Sequence, residues 1–468
     1  MLSDYIKDSQ FRRMMAGIAV PIILQMLLTN GLSFVDTMMI GRLGEVEVAA
    51  VGLANQMFFL VFLCFFGITS GTGIFIAQFW GDNDEKGIHR VVGLSLVSTL
   101  TFALPFAAAS FFFPASLMRL FTPDPAVIEL GVQYLRIIAP SYIFSGVSFS
   151  FAMALRSIEK PRIPLEATAV SMVLNTVLNL LLIFGLFFFP RLGVRGAAIA
   201  TSISRGVELI VILILIFKRK LPVAASVREY LDFGAVLAKK FFMTAGPVLL
   251  NEIAWSLGMV MYKLVFARMG TEVVAAANIT ESIQGLFFVF LIGTGNTAAI
   301  MIGKKIGQGK PGEATIYARH FLVQGVLLGL VLGILMSATA PAVVLLLKMK
   351  PETIALVRLT LIALGLLIPV KSFNLHMIVG VLRSGGDTKF SFLTELIGVW
   401  GIGVPLALVT GLIWHLSLPA VYLLVGIEEV FKLVVTGWRM RSGRWINDLT
   451  RKDIEEYPVL EPTVPTVP

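Results

Sequence analysis

Charged residues are scarce in this 468-residue chain, where Asp, Glu, Lys and Arg make up 14% and hydrophobic residues 57%. An average soluble domain carries about a quarter charged residues, so two or three soluble domains of this composition would lack polar surface. The composition therefore indicates a polytopic membrane protein. The net charge of +9 does not call for nucleic acid as a partner, because Lys and Arg lie mostly in the loops between apolar segments.

Cysteine and the common enzyme motifs are also nearly absent. The single cysteine, Cys64, lies inside an apolar run, so the chain cannot form an internal disulfide. The sequence contains no H-E-x-x-H motif, no Walker loop and no Asp-rich diphosphate motif, and its GTG fragment at 71–73 lies within a predicted helix. We therefore expect neither an enzyme nor a nucleotide-driven pump, and no cofactor.

Long apolar segments dominate the chain instead. Each is long enough to cross about 30 Å of hydrocarbon at ~1.5 Å per residue in a helix. The twelve segments cover residues 15–40, 48–79, 91–114, 126–155, 163–189, 193–217, 237–267, 274–303, 317–346, 352–382, 389–413 and 417–438. The sequence thus predicts an all-α integral membrane protein with twelve transmembrane helices.

One polar stretch, KRKLPVAASVREYLDF at 218–233, interrupts this pattern in the middle of the chain. It predicts an N-terminal six-helix lobe at 1–217, a cytoplasmic linker at 218–235, a C-terminal six-helix lobe at 236–440 and a cytoplasmic tail at 441–468. Most Lys and Arg residues fall in the N-terminal segment, the even-numbered loops and the tail. By the positive-inside rule, both termini are cytoplasmic.

The two predicted lobes are related by an internal repeat. Residues 21–50 align on 247–276 without a gap at an offset of 226, and at an offset of 227 the Leu-Arg-Ser triplet at 155–157 matches the one at 382–384. Because six helices is an even number, the halves share one orientation, as in the parallel repeats of many secondary transporters. The repeat predicts two pseudo-symmetric lobes around a central cavity, an arrangement that suits alternating access better than a channel.

Several motifs carry a family resemblance: FVDTMMIGRLG followed by AAVG, NEIAWSLG in the seventh segment, GKKIGQGK at 303–310 and VLRSGGDTK at 381–389. In their order and spacing they resemble the multidrug and toxic compound extrusion family, nearest its NorM-like branch. The resemblance implies a V-shaped pair of lobes and export of amphipathic organic cations in exchange for H⁺ or Na⁺. It implies a monomer in the plasma membrane of a prokaryote. A flippase of lipid-linked oligosaccharide on the same scaffold is the alternative, for which a more cationic cavity is expected.

Three acids are the candidates for cation coupling. Glu252 lies halfway along the seventh segment, where a charge costs about 2.5–3.5 kcal/mol on insertion scales and is by default functional. Its expected partner is a proton, Na⁺ or the ammonium group of Lys371. The resemblance adds that the matching acid of the NorM-like branch belongs to a cation site. The resemblance implies a coupling role for Asp36. Glu281, near the outer end of the eighth segment, is a candidate ion or cavity residue that Lys371 would also suit as a partner.

The repeat shows that these acids are specific to one lobe. The counterpart of Asp36 is Tyr262, and the counterpart of Glu252 is Met26. The scaffold itself therefore requires no acid at either position, and we interpret the asymmetry as specialisation of each lobe.

Polar and aromatic residues in the membrane segments are candidates for the substrate cavity. Asn175 and Asn179, spaced i and i+4, project from one face of the fifth helix, either towards Asp36 or as interhelical hydrogen bonds. The other candidates are Trp255, Tyr262, Lys371, Asn374, His376 and Glu395. The NorM-like branch has an acid in the tenth helix where this chain has none, so no metal site is assigned, although Na⁺ at Glu252 stays open.

Overall fold

The computed structural model describes residue 5, residues 8–345 and residues 350–450. Across these residues the secondary structure is helical, apart from one isolated bridge between Gly386 and Ile446. The predicted all-α class is confirmed. The Pro-rich end of the predicted tail, 451–468, lies outside the described residues.

Long helices follow one another along the whole chain. They are α1 (Ser9–Gly41), α2 (Glu45–Asp82), α3 (Glu85–Phe112), α4 (Pro125–Ser157), α5 (Arg162–Phe184), α6 (Val194–Lys218), α7 (Ala235–Met269), α8 (Thr271–Gly307), α9 (Pro311–Leu345), α10 (Pro351–Leu382) and α11 (Thr388–Ile413). All eleven are long and apolar enough to cross a membrane. They coincide with the first eleven predicted segments. Short helices at Pro114–Arg119 and Val227–Tyr230 lie between them.

The twelfth predicted segment forms two helices, Leu418–Val425 and Ile427–Arg441, which meet at Gly426 and are together called α12. The first half is strongly apolar, whereas the second begins with two buried glutamates and continues with a buried lysine. The segment is helical as predicted, but charged residues in its second half interrupt the apolar run.

Three stretches of α10 and α11 are π-helical: His376–Leu382, Ile397–Gly403 and Val409–Ile413. Such wide turns are rare and are frequently found at functional sites. In the middle stretch, Gly398 and Gly403 face α12, and a methyl group at either position would collide with side chains of that helix. These glycines therefore let polar side chains of α12 approach α11 closely.

By their contacts the described residues form two compact units. The N unit comprises residues 20–76 and 84–249, and the C unit comprises the described residues of 1–19, 77–83 and 250–468. Each unit has its own apolar core, built around residues such as Phe65 and Tyr142 in the N unit and Leu364 and Ile368 in the C unit. The unit boundaries fall inside α1, α2 and α7, and the predicted lobe boundaries at 217 and 236 stay a prediction.

The polar stretch after α6 packs onto the N unit. Its short helix begins with a capping box, in which Ser226 and Glu229 bind each other's backbone N–H groups. The bond that the Ser226 N–H donates to the Glu229 carboxylate lowers the pKa of Glu229. Tyr230 is buried, its hydroxyl donates to the Val223 carbonyl at 2.6 Å, and its backbone fills the space left by Gly93 on α3. The predicted linker is thus a docked segment, and burial raises the pKa of Tyr230 to about 12.

Candidate functional site

In the N unit, Asp36 of α1 lies beside Asn175 and Asn179 of α5. The side-chain amide of Asn179 donates to Asp36 Oδ1 at 2.6 Å and to Asn175 Oδ1 at 2.9 Å. Both asparagines are buried, and the helical spacing of four residues puts them on one face of α5. The structure places the three residues together, while their part in coupling stays a prediction.

Asp36, Asn175 and Asn179 form what we call the Asp36 cluster, which holds one unused acceptor oxygen. Asn179 Oδ1 is buried and has no hydrogen-bond partner among the described residues. Asn175 donates a long bond of 3.4 Å to Thr201, and Arg205 acts on Asp36 electrostatically without forming an ion pair with it. A carboxylate and an orphan amide oxygen are acceptors suited to a proton or a hard cation.

A chain of hydrogen bonds crosses the N unit through five side chains. Arg156 donates to Gln25 at 2.6 Å, Gln25 to Thr168 at 2.9 Å, and Thr168 to Glu208 at 2.8 Å. Arg205 closes the chain with a 2.8 Å ion pair to Glu208. The two arginines are therefore held by acceptors within the unit.

In the C unit, the partners of the predicted coupling acids differ from those expected. Glu252 accepts a 2.8 Å bond from Arg383, and Glu281 pairs with Lys263 at 3.0 Å. Arg383 and Lys263 therefore pair with the two acids, and the expected salt bridge with Lys371 is not the one that the structure shows. The reason is positional, since Arg383 follows α10 and reaches α7, whereas Lys371 lies inside α10.

Arg383, the partner of Glu252, is a buried cation that the sequence analysis did not single out. Its place after the tenth apolar segment predicts a loop cation, but only 3% of Arg383 is exposed, and its Nε and Nη1 have no partner among the described residues. The repeat contained the signal, because Arg383 matches Arg156, whose partner Gln25 lies on α1 as Glu252 lies on α7.

Helix α12 carries a second polar group of the C unit. We call it the α12 cluster, and its members are Tyr262, Asn374, Glu395, Glu428, Glu429 and Lys432. Lys432 Nζ lies 2.8 Å from Glu395, 3.7 Å from Glu428 and 3.9 Å from Glu429. All members are buried, so the cluster is a charged group within the interior of the unit.

Neutral donors complete the α12 cluster. The Tyr262 hydroxyl donates to Glu428 Oε2 at 2.7 Å, and the Asn374 amide donates to Glu429 Oε2 at 2.7 Å. Lys371 acts electrostatically on both of these glutamates. The predicted cavity residues of α7, α10 and α11 therefore converge on acids of α12 that the sequence analysis missed. The signal was present, since three charges spaced i, i+1 and i+4 interrupt an apolar segment.

The two remaining cavity candidates lie apart from these groups. His376 is fully buried, and its ring nitrogens contact the Ser372 carbonyl at 2.8 Å and the Thr294 hydroxyl at 3.1 Å. In this structure His376 is therefore a hydrogen-bonded core histidine. Trp255 is exposed on α7.

Sequence comparison decides the family. The sequence profile of the MatE family matches residues 21–181 and 247–409, which together make up well over half of the chain. The chain belongs to the MatE family. The two matches begin at Pro21 and Pro247, the same pair that the internal repeat aligns, so each half of the MatE chain is one copy of the family's unit.

Individual relatives agree with the family assignment. The chain is 28% identical to the "Uncharacterized transporter YisQ" of Bacillus subtilis over 91% of this chain and 93% of that protein. It is 24% identical to the "Probable multidrug resistance protein NorM" of Thermotoga maritima, covering 96% of each. A solved structure of an outward-facing multidrug resistance MATE family transporter matches with a TM-score of 0.84 at 21% identity, over 93% of this chain and 97% of that one. The predicted fold is confirmed, and the protein is a multi-pass member of a membrane transporter family.

Proposed function

We propose that this MatE protein is a secondary active antiporter that exports organic cations and drugs in exchange for H⁺ or Na⁺ by alternating access. Family membership and relatives named multidrug resistance proteins support the substrate class. The proposal places the protein in a prokaryotic plasma membrane with both termini cytoplasmic, as the loop charges predict.

The observation that carries the proposal is the environment of Asp36. Its carboxylate lies on a membrane-spanning helix, its bonded donor is the neutral amide of Asn179, and none of the described residues forms an ion pair with it. Glu252 and Glu281, in contrast, already have protein cations beside them. An acid within a membrane is costly unless it is neutralised, so Asp36 is the acid best suited to an exchangeable cation.

Coupling follows if cation and drug bind different conformations with different affinity. A ligand shifts a conformational equilibrium only by its differential affinity for the two states. Loading a cation at Asp36 neutralises the negative charge that the Asn179 amide solvates, and a cationic drug competes for the same charge. Glu252 would join this cycle only in a conformation in which Arg383 releases it.

The test is ethidium efflux from energised membrane vesicles, with the Na⁺ gradient and the pH gradient collapsed separately. We expect efflux to stop when one of the two gradients is collapsed, and we expect Asp36→Asn to abolish efflux. Asp82→Asn is the matched control, because Asp82 is exposed at the end of α2. Efflux that continues without either gradient, or at the wild-type rate in Asp36→Asn, would refute the proposal. Diphosphate-lipid flipping without drug efflux would favour the flippase instead.

A further inference from the structure

We propose that the α12 cluster of the C unit binds and releases one proton, which Glu428 and Glu429 share. The inference rests on the proposed cation exchange and assigns a second site for it, on helices other than those of the Asp36 cluster. Loading adds one proton to a carboxylate oxygen, unloading returns it to water, and no other bond is made or broken.

The first argument is the charge balance of the buried cluster. Of three carboxylates, only Glu395 is within hydrogen-bond reach of Lys432, whereas Glu428 and Glu429 lie 3.7 and 3.9 Å from it. Lys371 adds a second positive charge nearby. Three negative and two positive charges leave one negative charge, and an uncompensated buried charge is costly. One bound proton neutralises the cluster.

The second argument is an orphan acceptor. Asn374 is 3% exposed, and its Nδ2 donates both to the Glu429 side chain at 2.7 Å and to the Glu429 carbonyl at 2.8 Å. Its Oδ1, on the same amide, is buried and has no partner among the described residues. A protonated carboxyl group is an O–H donor, and an amide oxygen is the acceptor that such a donor requires. The cluster therefore already contains the acceptor that a bound proton would use.

The third argument is that the backbone is shaped for these side chains. A methyl group at Gly403 would collide with Glu428 Oε2 and the Tyr262 hydroxyl, and one at Gly398 would collide with the Lys432 stem. Both glycines lie in the π-helical stretch Ile397–Gly403 of α11. The glycines thus let α12 approach α11 closely at two points, where Glu428 lies against Gly403 and Lys432 lies against Gly398.

A proton fits the cluster better than a metal ion does. Among the described residues, no group of three or more His, Cys, Asp or Glu side chains is arranged to hold a metal. The ammonium group of Lys432 already lies among the three carboxylates, where a metal would have to bind. The positive charge that the cluster lacks is therefore best supplied by a proton on a carboxylate oxygen.

The surrounding titratable groups have roles that leave the shared proton to Glu428 and Glu429. The titratable groups on or next to the elements packed against the second half of α12 include Tyr262, Lys371, His376, Asp387, Lys389, Glu395 and Tyr422. His376 is bound to Ser372 and Thr294, and Asp387 pairs with Arg439 at 2.6 Å at the other end of the helix. Tyr262 donates a hydrogen bond to Glu428, and Glu395 is paired with Lys432.

The experiment measures protonated carboxyl groups in the purified full chain in lipid nanodiscs. Infrared difference spectra over a pH series report the carboxyl C=O band, and an indicator dye counts the protons that are taken up. We expect Glu428→Gln and Glu429→Gln each to take up one proton fewer per protein than the wild type. Both variants should fold, because removing one acid balances the two lysines. Glu352→Gln, at an exposed position, is the control and should match the wild type above about pH 6, because exposed carboxyl groups take up their protons below that pH.

A second variant tests the charge balance in the opposite direction. Lys432→Met removes a positive charge, so it should take up one proton more than the wild type. Unchanged proton uptake in Glu428→Gln and Glu429→Gln, or loss of ²²Na⁺ binding instead of proton uptake in them, would overturn the inference even if drug efflux is cation-coupled. Proton uptake at the α12 cluster without any drug efflux would count against the proposed function alone.

Discussion

Arg383 Nη2 lies 2.8 Å from Glu252 Oε1, with only 4% of the arginine side chain and 13% of the glutamate side chain exposed. The pair joins the end of α10 to the middle of α7 within the C unit. In the other copy of the repeat, Arg156 bonds at 2.6 Å to the neutral Gln25. The arginine thus belongs to the scaffold of both halves, while the acid that neutralises it is specific to the C unit.

Removing either partner of the Glu252–Arg383 pair should destabilise the protein strongly. Breaking a buried ion pair leaves an uncompensated charge and typically costs about 3–5 kcal/mol. We expect Arg383→Gln and Glu252→Gln each to lower the thermal unfolding midpoint in detergent. The double variant should recover much of the loss, because it leaves no lone charge.

A double-mutant cycle separates this coupling from simple loss of packing. Arg156→Gln is the matched control, since its partner Gln25 is neutral and the cost should be smaller than that of Arg383→Gln. Additive effects of Glu252→Gln and Arg383→Gln would contradict the ion pair as the source of stability.

Asn179 should be required for cation coupling at Asp36. It donates the 2.6 Å bond to Asp36, and a hydrogen bond to a charged group contributes about 1.5–3 kcal/mol. In Asn179→Leu the carboxylate loses this donor, so we expect drug efflux driven by an imposed ion gradient to fall at least tenfold. Gradient-driven ethidium efflux is the measurement. Wild-type efflux in a folded Asn179→Leu protein would show that the amide is only a structural contact between helices.

The sequence was sufficient for the helices and the repeat, because apolar length and a constant offset are local or periodic signals. It also put Asn175 and Asn179 on one face of α5, since helical spacing determines a shared face, but it left open whether that face meets Asp36. It did not indicate which charges pair across helices. The position of Arg383 directly after the tenth apolar segment predicts a cation in a loop.

The acids of α12 were missed for a related reason. The apolar composition of residues 417–438 outweighed its three charges, and the break at Gly426 has no strong sequence signal. Glu428, Glu429 and Lys432 acquire their significance only from the residues of α7, α10 and α11 that surround them. Tertiary contacts of this kind are not encoded in any single segment.

The docked linker should respond to acid through Asp232. Arg90 of α3 binds Asp232 at 2.7 Å and holds the pKa of that carboxyl below its usual range. A lowered pKa in the folded state gives stability that is present above the unfolded pKa, near 3.9, and is lost as the pH falls through the lowered value. Asp232→Asn should therefore lower the unfolding midpoint slightly at pH 7 and not at all at strongly acidic pH.

Tyr230→Phe provides the contrasting variant in the same segment. It removes the 2.6 Å bond to the Val223 carbonyl, which should cost about 1 kcal/mol. Because the pKa of Tyr230 is raised to about 12, the loss of stability caused by Tyr230→Phe should stay constant from acidic pH to about pH 10. An effect of Asp232→Asn that persists in acid would show that the Arg90 pair is not its source.

The first residues after α12 should be essential to the stability of the C unit. Trp445 is 1% exposed, and Gln78 binds the Leu449 N–H at 2.7 Å while donating to the carbonyls of Ser384 at 2.9 Å and Asn447 at 3.2 Å. Truncating a buried aromatic side chain typically costs about 3–5 kcal/mol. We therefore expect Trp445→Ala to lower the unfolding midpoint sharply.

Release of this segment can be distinguished from a general loss of stability by proteolysis. Arg444 is exposed and directly precedes Trp445, so trypsin should cleave after Arg444 much faster in Trp445→Ala than in the wild type. Gln78→Ala should accelerate the same cleavage while leaving the Trp445 side chain intact, because it removes the two hydrogen bonds that join Gln78 to Asn447 and Leu449 in the segment. Trp438→Ala, at an exposed position on α12, is the matched control and should cleave at the wild-type rate. Equal cleavage rates in all four proteins would show that residues 445–449 are held by contacts other than Trp445 and Gln78.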